Sequence, residues 1–142
     1  MTLKKVTLSN VQEITFVIAS EKLSYKEPIP PFETRLPNKL ESCLLTPFQK
    51  FDRKDLYPGL IKKASILLYL LISDHPFQNG NKRVALTTLL YFLLKNGKYL
   101  KVDTMVLYNF TVWVAQSPTE LKDQVISGIE QFLKTHLISV KE

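Results

Sequence analysis

Two apolar runs, Leu60–Ser73 and Val84–Leu94, constrain this chain more than any other feature. In the first, Leu60, Ile61, Ala64, Ile66, Leu67, Leu68, Leu70, Leu71 and Ile72 fall on nearly every side of a helix. In the second, Val84, Ala85, Leu86, Leu89, Leu90, Tyr91, Phe92, Leu93 and Leu94 do the same. A helix that is apolar all round is central, with other helices packed about it. The runs are therefore predicted to form a buried pair. Between them lies the polar stretch His75-Pro76-Phe77-Gln78-Asn79-Gly80-Asn81-Lys82-Arg83. The expected fold is all-α, with about six helices around the pair. The length of 142 residues fits one domain, residues 1–142, able to bury a real core.

The remaining elements follow from caps and breakers. Ser9-Asn10-Val11-Gln12 reads as a capping box, Ser9 capping and Gln12 reaching back, so a first helix is expected from about Asn10 to Ser24. Pro28, Pro30, Pro31 and Pro37 make Glu27–Pro37 an extended loop. Asn38 caps a short helix that ends at Leu45, with Pro47 just beyond. Thr46–Tyr57 carries Phe48 and Phe51 among charged residues. It reads either as a connecting loop or as a small hairpin flap over a site. Pro58 suits the first turn of the first central helix, which stops near Ser73-Asp74. Asn96-Gly97 ends the second. Asp103 starts another helix, and Ser117-Pro118-Thr119-Glu120 opens the last, with Ser117 at its N-cap.

Composition excludes several classes. A hydrophobic fraction of 45% and a charged fraction of 23% are those of an ordinary globular protein. The single cysteine, Cys43, favours a reducing compartment and reads as a small core residue on a helix. Met1–Lys5 is basic, but Val6–Ala19 is interrupted by Ser9, Asn10, Gln12 and Glu13, which is not a signal-peptide pattern. Ile66–Ile72 is far shorter than a bilayer span, so no membrane association is expected and the location reads as cytoplasmic. The net charge of +6 fits a basic surface, an anionic ligand or an acidic partner. No basic-aromatic pattern of a nucleic-acid module accompanies it, which disfavours nucleic acid as a partner.

The polar loop delivers the chain straight into a helix. The first backbone N–H groups of a helix lack internal acceptors, and the dipole places positive partial charge there, making an anion site. Gly80 allows a close backbone approach, Asn81 carries an amide, and Lys82 and Arg83 add full charges. The expected ligand is the phosphates of a nucleotide. An imidazole at His75, across the turn, could take a proton from an attacking hydroxyl. Phe77 is expected to anchor the loop into the core. Each of these residues alone has a plainer reading, a satisfied histidine at a helix end or a simple turn with a cap. Their conjunction in one short stretch favours a site.

The stretch resembles the signature of the Fic/Doc family, His-x-Phe-x-(Asp/Glu)-(Gly/Ala)-Asn followed by a basic segment. His75, Pro76, Phe77, Gly80, Asn81, Lys82 and Arg83 agree with its Doc-like (death-on-curing) form. The similarity covers residues from about 36 to 97. It implies a helical Fic/Doc fold that transfers part of ATP, with Mg²⁺, to a protein hydroxyl. It implies His75 as general base and Gly80, Asn81, Lys82 and Arg83 as the phosphate-binding residues. It makes Thr46–Leu56, with Phe48, Gln49, Lys50 and Phe51, the flap that aligns the target segment by strand-like pairing.

AMP-transferring members usually continue Gly-Asn-Gly-Arg-x-x-Arg. Here Lys82 replaces the second glycine and Leu86 stands where the second arginine would be. Both are changes of the Doc-like branch, which transfers the γ-phosphoryl group. The resemblance therefore implies a protein-phosphorylating toxin of a toxin–antitoxin pair, with AMP transfer as the alternative. Known Doc chemistry targets a translation elongation factor. Asn79 stands where the family has Asp or Glu to hold Mg²⁺, and an amide is a poorer magnesium ligand. A weakly active or non-catalytic module that binds nucleotide or a partner is thus a second alternative. The family's inhibitory motif is not cleanly present, since Ser9-x-x-x-Glu13 is followed by Ile14. Control by a separate antitoxin is favoured over self-inhibition.

Overall fold

The computed structural model describes residues 2–22 and 29–140. Among these residues helices dominate, and the strands form two short ribbons. The chain opens with a continuous helical rod: α1 (Leu8–Asn10), a π turn (Val11–Thr15) and α2 (Phe16–Lys22). The rod starts earlier than its sequence suggested. Thr7, not Ser9, is the cap: its hydroxyl accepts from the N–H of Asn10 at 3.1 Å. The Asn10 side chain accepts from the N–H of Thr7 at 3.0 Å. Asn10 makes the reach-back expected of Gln12, because its amide oxygen closes the same reciprocal pair. The expected end of this helix at Ser24, and Glu27 and Pro28 of the proline-rich segment, lie outside the described residues.

The expected central pair is present as α4 (Gly59–Ser73) and α5 (Asn81–Lys95). Leu68, Leu71 and Ile72 of α4 and Val84, Leu89, Phe92 and Leu93 of α5 are almost wholly buried. Around α4 stand α5, α3 (Lys39–Leu45), α6 (Thr104–Gln116) and α7 (Lys122–His136), while α2 packs on α5. Counting the N-terminal rod as one, six helical rods surround one hydrophobic cluster among the described residues. The all-α expectation holds. A polar contact crosses this core: the Thr88 hydroxyl of α5 donates to that of Thr15 in the π turn at 3.0 Å, both side chains being fully buried.

Several local expectations change. The proline-rich segment is not wholly extended, since Phe32–Thr34 forms a 3-10 turn after Pro31. Asn38 precedes α3 in a left-handed conformation (φ 67°) and makes no side-chain cap. Pro58 is the N-cap of α4 rather than its first residue. Ser117 does not cap the last helix. Its hydroxyl donates to the Val114 carbonyl at 2.6 Å and closes α6 instead, and a 3-10 turn (Thr119–Leu121) precedes α7. Asp103 does cap α6, its Oδ1 accepting from the N–H of Met105 at 2.8 Å. Gly97 leaves α5 at φ 77°, as expected of a helix terminator.

Thr46–Tyr57 resolves into the hairpin reading. After a 3-10 turn (Thr46–Phe48), β1 (Lys50–Phe51) pairs with β2 (Lys54–Asp55). Asp52 and Arg53 between them both have positive φ, at 53° and 66°, which is the two-residue turn that matches strand twist. A second ribbon had no precedent in the sequence pattern. β3 (Lys98–Leu100) pairs antiparallel with β4 (Leu137–Ser139) and ties the end of α7 to the end of α5.

Removing the donor from the buried Thr15 oxygen tests the core contact. Thr88→Val is expected to lower the unfolding free energy by about 1–3 kcal/mol. The double variant Thr15→Val/Thr88→Val is expected to recover most of that loss in denaturant unfolding, because no buried oxygen is then stranded.

Candidate functional site

The loop between α4 and α5 begins with a reversal. Asp74 is the C-cap of α4, its N–H bonded to the Leu70 carbonyl at 2.9 Å. His75 then adopts φ +48° directly before Pro76, and its side chain is exposed. A left-handed residue before proline is strained, since both its own Cβ and the following ring disfavour it. Such strain persists only where the surroundings over-determine the backbone.

Here they do. The N–H of Leu36 donates to the Pro76 carbonyl at 2.8 Å, and Gln78 Nε2 donates to the Thr34 carbonyl at 3.4 Å. Lys39 Nζ donates to the Asp74 carbonyl at 3.2 Å. Phe77 is buried, with its ring 5.3 Å from that of Phe16 and 6.0 Å from that of Phe32. Asn81, the first residue of α5, brackets the loop. Its Oδ1 accepts from the N–H of Phe77 at 2.9 Å and its Nδ2 donates to the carbonyl of Phe77 at 2.8 Å. The loop is thus clamped from the core, from α3, and from the helix it feeds.

Gly80 is the N-cap of α5, at φ 79°, and its carbonyl accepts the first helical bond from Val84 at 3.0 Å. A Cβ there would lie 2.6 Å from Ile29 Cγ1 and 3.3 Å from Arg83 Nη2. The position needs glycine both for its backbone angle and for its space. Lys82 and Arg83 occupy the next positions of the first turn, both half-buried, and that turn holds no acidic residue. Amides at these positions have no acceptor within their own helix. Positive charge and backbone donors therefore share one end of α5.

Asn79 supplies one side-chain oxygen, and that oxygen accepts from the N–H of Gly80 at 2.8 Å. Among the described residues no three His, Cys, Asp or Glu side chains gather to hold a metal. These residues build no all-protein metal cage, so a magnesium ion here would be held chiefly through nucleotide phosphates, and a phosphate suits the start of α5.

The flap residues divide. Phe48 lies beneath the hairpin, edge-on to Phe92 at 6.1 Å, and the Gln49 carbonyl accepts from the N–H of Leu56 at 3.1 Å. Lys50 and Phe51 are exposed, Phe51 at 74%. A groove of about 540 Å³ runs between the foot of the hairpin and α7, lined by Tyr57, Pro58, Lys62, Lys122 and Glu130 among others. No residue of the His75–Arg83 loop lines it. Sequence reasoning did not single out Lys63, Ile29 or the bracketing direction of Asn81. Lys63 had a visible signal, a cation inside an apolar run, whereas contacts of Ile29 with Gly80 leave none.

Cys43 reaches the edge of this site, its thiol donating to Asp74 Oδ2 at 3.7 Å. Burial first, and then the Asp74 carboxylate, push that thiol up to about 12. Folding thus favours the neutral thiol. Its contribution is intact below the ordinary value of 9.0 and is lost as pH rises from there toward about 12. The native chain is expected to resist a thiol reagent near pH 8 and to react at once in denaturant. Above about pH 9 wild type is expected to lose more stability than Cys43→Ala. Gly80→Ala is expected to cost about 1–3 kcal/mol in denaturant unfolding from the left-handed backbone alone. It should cost more than Gly97→Ala, where a Cβ meets nothing within 4 Å and only the strain remains.

No curated protein and no solved structure matches the chain. The family model described as the Fic/DOC family matches residues 5–93, a span that takes in the N-terminal rod, the hairpin, the clamped loop and nearly all of α5. The chain belongs to the Fic/DOC family.

Proposed function

We propose that the chain transfers the γ-phosphoryl group of ATP to a hydroxyl of a target protein, in the manner of the Doc-like branch. The observation that carries this reading is the start of α5. A glycine cap, two cations and no acid in the first turn are presented by a loop clamped on three sides. The triphosphate lies against the backbone N–H groups of Asn81, Lys82 and Arg83, with Gly80 capping the helix in the left-handed turn that presents them. The Lys82 and Arg83 side chains offset its charge. The Asn81 side chain shapes the loop, so its share in phosphate binding is through its backbone. Phe77 fixes the loop depth.

His75 is the general base. Its imidazole takes the proton of the acceptor hydroxyl, whose oxygen forms a bond to the γ-phosphorus while the bond to the β-phosphate oxygen breaks and ADP leaves. The strained backbone at His75 supports this role, because such strain collects at working residues. The hairpin receives the acceptor segment along Lys50 and Phe51, with Phe48 and Gln49 holding its foot. Leu86 supports phosphoryl over AMP transfer: it is an apolar residue, 7% exposed, where an AMP-transferring site would need a cation. On this reading the protein is the toxin of a toxin–antitoxin pair, restrained by a separate antitoxin, with a translation elongation factor as a candidate acceptor.

A second reading is favoured by Asn79. With an amide whose oxygen is engaged by Gly80, the chain could bind nucleotide or a partner without transfer.

Incubation with cell lysate and γ-labelled or α-labelled ATP separates these readings. Wild type is expected to label protein from the γ position only. His75→Ala is expected to lose about 10²–10⁴-fold of that rate, as for a general base. Asn79→Asp is expected to raise the rate by about tenfold or more if the amide limits metal use. Label from the α position would assign AMP transfer. No label from wild type or Asn79→Asp would leave the binding module.

A further inference from the structure

The hairpin cannot hold itself in place. Its strands are two residues each, and every residue from Lys50 to Leu56 is exposed. A ribbon this short has no independent stability in water. Its turn also places Arg53 at positive φ, which adds strain. No apolar burial within the ribbon offsets these costs. What fixes its direction must lie beneath it.

Lys63 lies there. It sits within the apolar run of α4, 3% exposed. An ammonium so deep is unfavourable unless its donors are used. Its Nζ donates to Asp55 Oδ2 at 3.0 Å and to the Tyr57 carbonyl at 2.5 Å. It also lies 5.3 Å from the centre of the Phe48 ring. Phe48 is where the chain enters the hairpin, and Asp55 and Tyr57 are where it leaves. One side chain on the most buried helix therefore grips both legs. Asp55 is at the rim, its side chain 37% exposed, so the pair joins the core to the surface element.

We propose that Lys63 is the positioning residue of the hairpin, its buried ammonium setting the angle at which Lys50 and Phe51 meet an acceptor segment. The docking part of this proposal rests on the transfer reading above, while the latch itself does not. α4 carries both the latch, at Lys63, and the loop that follows Ser73. A hairpin gripped by α4 is thus held in register with His75.

The test uses two variants of the full chain. Lys63→Met keeps the volume and removes the charge. Asp55→Asn keeps the shape at a partly exposed site and decides alone if the first variant fails to fold. Amide hydrogen exchange is read at Leu56, whose N–H bonds to Gln49 across the foot of the hairpin. Exchange there is expected to rise about tenfold or more in both variants, with amides of the buried turns of α4 unchanged. In the transfer assay the KM for acceptor protein is expected to rise about fivefold with the KM for ATP unchanged. Unchanged exchange at Leu56 overturns the latch and leaves the transfer reading intact. Faster exchange with an unchanged acceptor KM makes Lys63 structural only and overturns the positioning role. Absence of transfer by wild type removes the docking role together with the reading it rests on, while the exchange result still decides the latch.

Discussion

Burying α4 and α5 side by side leaves the chain one polar turn in which to pass between them. That turn must satisfy its backbone groups at the edge of an apolar core, where an unmade bond costs about 1–3 kcal/mol. The Asn81 side chain meets this need by copying a backbone partner, accepting from the N–H of Phe77 and donating to its carbonyl. The bracket works because Asn81 is the first residue of α5 and shares the rigidity of that helix. The left-handed backbone of His75, the depth of Phe77 and the close fit of Gly80 against Ile29 accompany a turn closed in this way. The features that suit the loop to an anion are consequences of how the core is crossed.

Much of this was legible in the residues, and the pattern of success has a physical cause. α4 and α5 could be read because all-round apolarity admits only a central helix. Gly97 and Asp103 could be read because each is a lone candidate for its role. The first helix starts two residues earlier than expected because Thr7 and Ser9, and likewise Asn10 and Gln12, compete within a few residues for the same capping geometry. Ser117 is ambiguous in sequence because its hydroxyl can serve either the helix behind it or the one ahead, and the carbonyl of Val114 takes it. The β3–β4 ribbon pairs residues 98–100 with 137–139, and no local pattern carries a register set by the packing of α5 and α7.

The same limit applies inside the site. The identities of His75, Asn79, Asn81, Lys82 and Arg83 could be chosen from sequence, but not the direction of their side chains. An asparagine in a turn can face outward to a ligand or inward to the backbone at similar cost, and only the loop geometry decides. Asn81 and Asn79 both turn an oxygen to a nearby N–H. For Asn79 this matters more, because a carboxylate at that position would keep a second oxygen for a metal. An amide has a single oxygen, one lone pair of which is taken by the N–H of Gly80, so it offers magnesium one neutral donor without a carboxylate's charge.

The two elements that would meet a substrate are held by different physics. The loop is fixed by three packed aromatic rings, an amide bracket and backbone bonds from the segment before α3. Losing any one leaves the others. The hairpin depends on polar contacts at its foot and buries none of its own residues. Segments with few buried contacts open at lower free energy than the core. A site that must place a phosphoryl group in line needs the first kind of support. A surface that must accept an extended segment of another protein tolerates the second. On the proposed transfer reading, the difference between a packed loop and a latched hairpin divides the part that would fix the chemistry from the part that would adjust to a partner.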